Sequence, residues 1–226
     1  MSERLGNAFD EALVYAAEAH RTQKRKSTEI PYVGHLLGVA SIVIDNGGDQ
    51  DEAIAALLHD APEDQGGQKR LDDIRARFGD RVASIVEACS DSLSEDPDAK
   101  ADWPTRKRAY LGHLATNKDA SVFLVSAADK LHNLRSMVAD YAVVGEELWS
   151  RFNPAAGKVG SIRYYRSLAS SYATVSDPRV SRVAAELRAT LDRLERGCGA
   201  TTDPALSDGA GLINEATNRD ARSAIS

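Results

Sequence analysis

An all-α fold is predicted from three observations. Apolar residues recur at three- and four-residue steps along most of the chain. No stretch shows strand alternation closed by hairpin turns. The helical runs are punctuated by glycine, proline and acidic starts. Leu5, Phe9, Leu13, Ala16, Ala17 and His20 share one face of a helix over residues 6–23. Residues 35–46 form an apolar helix stopped by Gly47-Gly48. Asp49-Gln50-Asp51-Glu52 then has the D-x-x-E spacing of a capping box and starts a helix that carries Ala53 to Leu58. Residues 71–78 and 81–90 give two more helices, broken at Gly79-Asp80. A polar loop over 92–98 precedes Trp103-Pro104, which opens a helix through Leu114. The run over 120–138 is the most apolar, and helices near 144–152, 158–173 and 177–196 complete the set.

Composition narrows the function classes. The 226 residues are read as one domain, residues 1–196, followed by a small, polar tail over 197–226 that is predicted to be disordered because it has too few large apolar residues to anchor a core. Hydrophobic residues make up 42% of the chain, yet no apolar run approaches the about 18 residues of a membrane-spanning helix, so no membrane partner is expected. Ser2, Glu3 and Arg4 begin a polar N-terminus without a signal-peptide core, and a cytoplasmic location follows as the expectation. Cys89 and Cys198 form neither a disulfide framework nor a metal-spaced pair and are expected as thiols. A net charge of −6 argues against general nucleic-acid binding.

The chemistry concentrates in one segment. His59-Asp60 ends the apolar run Ala53–Leu58, and Glu63-Asp64 follows at once, so four ionisable groups crowd the end of a buried helix. Charges there are costly unless paired or bound to an ion, and imidazole beside carboxylate suits a divalent transition metal. The dipeptide alone is weak, because an aspartate orienting a surface histidine reads the same way. Two further settings support the metal: His35 heads a second apolar helix, and Asp129 sits inside the apolar run Phe123–Leu131.

These pieces together resemble the HD-domain metal-dependent phosphohydrolases, and more narrowly the hydrolase domain of RelA/SpoT-type alarmone enzymes and the small alarmone hydrolases. The matching stretches are Gln23-Lys24-Arg25-Lys26, Pro31-Tyr32-Val33-Gly34-His35, Leu57-Leu58-His59-Asp60-Ala61-Pro62-Glu63-Asp64 and Ala128-Asp129-Lys130-Leu131-His132-Asn133-Leu134-Arg135. The resemblance spans residues 5–175 and implies an HD-domain helical bundle. It implies that His35, His59, Asp60 and Asp129 hold one divalent ion, manganese in this family, and that Glu63 and Asp64 are the acid/base pair. It also implies that Arg25, Lys26, Asn133 and Arg135 contact a small-molecule nucleotide polyphosphate. The activity implied is removal of the 3′-pyrophosphate of a (p)ppGpp-type alarmone, with no synthetase unit in this chain. Alternatives are an HD phosphohydrolase for an adenine alarmone, NADPH or a nucleotide monophosphate, and a non-catalytic nucleotide sensor. The oligomeric state is left open.

Three departures from the family pattern bear on the site. Pro62 stands inside what would be a continuous helix, so the helix carrying His59 must end or kink near Ala61, and Glu63 need not project four residues after His59 on the same face. Leu36 stands where relatives have proline, and Thr28-Glu29-Ile30 replaces a glycine-containing turn. Arg21, Lys24, Arg25 and Lys26 form a cationic island read as an anion-binding segment, against the alternative of a solvated helix end. Lys130 is expected to pair with a carboxylate, His20 and His113 to be packed or exposed, and His132 to lie outside the ligand set. Trp149, Tyr164 and Tyr165 are read as packing aromatics. Arg151-Phe152-Asn153 and Tyr164-Tyr165-Arg166 resemble the family's C-terminal part, where one residue closes over the nucleotide.

Overall fold

The computed structural model describes residues 5–91, 93 and 101–200. Among the described residues ten α-helices follow in order: α1 Asn7–Ala19, α2 Val33–Asp45, α3 Gln50–Leu58, α4 Ala61–Asp64, α5 Gly67–Phe78, α6 Asp80–Cys89, α7 Trp103–Thr116, α8 Ala120–Val144, α9 Gly157–Ala173 and α10 Pro178–Gly197, with a 3₁₀ helix at Gly145–Arg151 between α8 and α9. Among the described residues there is no strand, only an isolated bridge between Lys24 and Pro31. None of the described helices is long and apolar enough to cross a membrane.

α3 is the innermost element because its sequence is apolar on every side. Ala53 to Leu58 are all at most 1% exposed, and the alanines let α1, α2, α6 and α8 approach closely. Its start carries the expected capping box: Asp49 accepts from the Glu52 backbone N–H at 3.0 Å, and Glu52 accepts from that of Asp49 at 2.8 Å. Glu52 is fully buried and also receives Arg179 of α10 at 2.8 Å, so its charge is paired. α8, at about 1.5 Å per residue the longest element, packs on α2, α3, α6, α9 and α10 and places Leu124, Val125, Ala128, Leu131 and Leu134 in the core.

Departures from the predicted boundaries have local causes. α1 stops at Ala19 rather than near residue 23, because the chain turns over Lys24–Pro31. That turn is held by Arg25 N to Ile30 O at 2.8 Å and Tyr32 N to Gln23 O at 2.9 Å, with Ser27 at φ 58°. α8 runs past residue 138 to Val144, where Gly145 adopts φ 58° and ends it. The helix expected near 144–152 is a 3₁₀ helix. Cys198 and Ala200 are buried, so packing continues four residues beyond position 196, and the rest of the segment predicted as a tail lies outside the described residues. Most of the 92–98 loop does too.

Candidate metal centre and substrate cleft

Pro62 decides the local geometry. α3 ends at Leu58, His59 and Asp60 form the turn, and α4 restarts at Ala61 with the proline in its first turn, where its missing N–H has no intrahelical partner to lose. The break turns His59 inward. Its Nδ1–H donates to Ala56 O at 2.8 Å, which leaves Nε2 facing His35 at the head of α2 and Asp129 in the middle of α8.

His35, His59 and Asp129 are buried, and one ligand atom from each lies within 4.8 Å of the others. His35 Nε2 stands 3.2 Å from Asp129 Oδ1 and 3.5 Å from Asp60 Oδ2, and His59 Nε2 stands 3.6 and 3.0 Å from the same two atoms. Neither Nε2 has a hydrogen-bond partner among the described residues. Buried nitrogens are rarely left so, and two donors at about 2.1 Å from one ion would lie about 3 Å apart at a right angle. The donor set therefore fits a divalent ion. Asp60 stands at its edge, half-buried, with Oδ2 accepting from the Tyr32 hydroxyl at 2.6 Å.

The charges of the cluster hold one another. Burial opposes a charged His59, yet Asp60 and Asp129 override it and keep the imidazole well above its ordinary pKa. Burial would raise Asp129, but Lys130 and the two histidines hold it well below the usual carboxylate range. Lys130 Nζ donates to Asp129 Oδ2 at 2.6 Å, the pairing expected from sequence. Asn133 Nδ2 donates to Asp129 Oδ1 at 2.6 Å, and Asn133 Oδ1 accepts from Arg25 Nη2 at 3.0 Å. This relay leads out to a cleft of about 760 Å³ between the Lys24–Pro31 turn, α7, α8 and α9, lined by Arg25, Lys26, Arg106, Lys107, Lys130 and Tyr164 among others. His35 borders both the cleft and the metal set.

The family model for the HD domain matches residues 12–162. The chain belongs to the HD-domain family. Curated relatives of this HD-domain chain include the guanosine-3′,5′-bis(diphosphate) 3′-pyrophosphohydrolase MESH1 of Xenopus tropicalis, 41% identical over 56% of this chain and 68% of that protein. A probable guanosine-3′,5′-bis(diphosphate) 3′-pyrophosphohydrolase of Synechocystis is 33% identical over 68% of this chain, and GTP pyrophosphokinase rsh of Brucella melitensis is 36% identical over 67%. The chain spans only 20% of the length of either of these two. Among solved structures, a metazoan ortholog of SpoT described as hydrolysing ppGpp superposes with a TM-score of 0.60 at 26% identity, covering 86% of this chain and 97% of that one. The lmo0812 protein of Listeria monocytogenes gives 0.55 at 28% identity, covering 73% and 99%.

The HD-domain site divides the acid pair expected at residues 63 and 64. Glu63 turns toward the end of α6 and toward α7: its Oε2 accepts from the Asp91 backbone N–H at 3.1 Å, and Arg106 approaches at 3.8 Å. Burial, then Asp91 and Asp60, push its carboxyl above the ordinary range. Asp64 is exposed on the side of α1 and accepts from Gln23 Nε2 at 2.8 Å. The cationic island divides as well. Arg25 and Lys26 line the cleft, whereas Lys24 pairs with Glu29 on the surface. Arg135 is not among the residues that line the cleft. Two residues beyond Asn133 on a helix lie about 200° further round, and Arg135 pairs with Glu186 of α10 instead.

Several residues at the site went unnoticed in the sequence. Arg106 and Lys107 on α7 were read only as part of a helix, although adjacent cations beside Trp103 on an acidic chain were a visible signal. Asp91 holds both, pairing with Lys107 and lying 3.7 Å from Arg106, and Lys107 Nζ stands 5.2 Å from the Tyr164 ring centroid. Tyr32 packs between His20 and His35, with ring centroids at 5.3 and 5.4 Å. His132, expected outside the ligand set, meets His35 Nδ1 with its own Nδ1 at 2.9 Å, and burial lowers its pKa to about 4.

Proposed function

We propose that this chain is a manganese-dependent hydrolase that removes the 3′-diphosphate of a guanosine 3′,5′-bis(diphosphate)-type nucleotide in the cytoplasm. One observation carries the reading: the buried His35–His59–Asp129 set adjoins, through His35 and Lys130, a cleft walled by Arg25, Lys26, Arg106 and Lys107 on a chain whose net charge is −6. Cations concentrated in a cleft on an acidic chain favour a small polyanion over a long nucleic acid. A volume of about 760 Å³ suits one nucleotide. Relatives named for this activity support the same reading.

His35, His59, Asp60 and Asp129 would hold the ion, which would supply Lewis-acid activation of water and phosphate. Arg25, which reaches Asn133 at 3.0 Å, would hold the nucleoside end through stacking and two-donor contacts. Arg106, Lys107 and Lys130 neutralise the diphosphate that leaves. Glu63, with a raised pKa and a backbone hydrogen bond that fixes one oxygen, takes a proton from the attacking water and returns one to the departing ribose 3′-oxygen.

The test is a manganese-dependent assay of the purified chain against ppGpp, its adenine counterpart, NADPH and nucleoside monophosphates, following released pyrophosphate. Release from ppGpp at a kcat/KM at least about tenfold above the others supports the reading. Preference for NADPH or a monophosphate moves the chain to another substrate class, and binding without turnover makes it a sensor.

A further inference from the structure

The metal-facing nitrogen of His35 can serve only if its other nitrogen carries the proton. His35 Nδ1 meets His132 Nδ1 at 2.9 Å, on the side of the ring opposite the Asp129 contact. Two neutral arrangements exist. If His132 donates, the His35 proton moves to Nε2 and that atom has no lone pair to offer. If His35 donates, Nε2 is left with its lone pair aimed at Asp129 and His59. One hydrogen bond therefore separates a ligand from a non-ligand.

A second contact fixes the His132 ring. Gly38, one helical turn after His35 on α2, lies against its far edge: a Cβ at position 38 would come within 2.2 Å of His132 Nε2 and 2.3 Å of Cδ2. Gly38 has an ordinary helical backbone, since its φ does not lie in the left-handed region, so conformational freedom does not explain a glycine there. The space is filled by the imidazole.

We propose that His132 is a positioning residue that sets the tautomer and orientation of His35, and that the bare Cα of Gly38 is the seat that lets it do so. This rests on His35 being a ligand of the divalent ion proposed above. Partners of this kind on a ligand histidine are typically worth about 10–100-fold in metal affinity.

Manganese affinity of the full chain, measured by calorimetry, is the readout, with KM and kcat measured alongside. His132→Ala should weaken manganese binding by about 10–100-fold. His132→Asn, whose side-chain oxygen falls near the position of Nδ1 and can accept the same hydrogen bond, should restore most of it. Gly38→Ala should weaken binding in the same direction by evicting the ring. In a His132→Ala background the same Gly38→Ala change should cost no further affinity and should raise the melting temperature, since alanine is the better helix former. His132 also borders the cleft. A raised KM with unchanged manganese affinity in His132→Ala would make it a substrate contact and overturn the proposal. An equal loss from Gly38→Ala with and without the imidazole would trace the effect to displacement of α2 and overturn the seat. No manganese binding by the unaltered chain would overturn the metal reading itself, a result distinct from both.

Discussion

Arg25 Nη2 donates to Asn133 Oδ1 at 3.0 Å, so a turn near the N-terminus is tied to the middle of α8 by residues 108 positions apart. Asn133 in turn donates to Asp129, which makes the cleft-lining arginine and the candidate metal ligand parts of one chain of contacts.

Arg25→Ala should chiefly raise KM, by about tenfold or more, because a charged hydrogen-bonding contact present in ground and transition states is removed from both. Arg25→Lys should recover only part, since a single ammonium cannot reproduce the two-donor or stacking geometry. Because Arg25 and Asn133 share a bond, Arg25→Ala and Asn133→Ala should combine to less than the sum of their separate effects. Steady-state kinetics on ppGpp for the two single variants and the double variant check this; strict additivity would mean that the contact contributes nothing.

Glu63→Gln should lower kcat by about 10² or more while manganese binding changes little. It should also be no less stable than the parent at neutral pH. The folded Glu63 pKa lies above its unfolded value of about 4.3, so the ionised carboxylate costs stability. That cost is absent below pH about 4 and complete once pH has risen through the folded value. Melting curves of both proteins without metal, across pH 4 to 8, should therefore diverge as pH rises, with the glutamine variant on top. Convergence at high pH would show that Arg106 and Lys107 already compensate the charge.

Metal loading should release protons. Against burial, Asp60 and Asp129 hold the His59 pKa well above its ordinary value, and the imidazole must give up any proton on Nε2 to become a ligand. Calorimetry in two buffers of different ionisation enthalpy should show net proton release on manganese binding, and affinity should fall as pH falls. Asp129→Asn should abolish binding and also destabilise the metal-free fold by about 1–3 kcal/mol, because the half-buried Lys130 charge loses its ionic partner. A variant that keeps its metal would remove Asp129 from the ligand set.

Glu52→Ala should cost about 1–3 kcal/mol, since it leaves the buried Asp49 N–H without its acceptor and strips Arg179 of one of its two carboxylate partners, Asp177 remaining. Glu52→Gln should cost less, because it can still accept both hydrogen bonds. Denaturant unfolding followed by circular dichroism measures both.

Local signals survived well from sequence to structure. The capping box at Asp49 and Glu52, the halt at Pro62 and the apolar α8 were readable because each is set by residues within a few positions of one another. His35, His59 and Asp129 were recognisable as polar groups that an apolar helix would not otherwise tolerate. Arg106 and Lys107 were missed because their role depends on α7 crossing near Glu63, which no short-range pattern encodes. Arg135 came with the motif, whereas its pairing with Glu186 depends on how α8 and α10 pack, which no short-range pattern encodes.

The break at Pro62 separates two tasks that a continuous helix would have fused. The ion's candidate ligands hang from α2, the end of α3 and α8, whereas Glu63 is anchored to Asp91 and to the cations of α7. On the proposed reading, replacing residues on α7 would retune which polyanion fits and how readily Glu63 exchanges a proton, while the candidate ligand set stays intact. A scaffold divided in this way can change substrate without rebuilding its metal site.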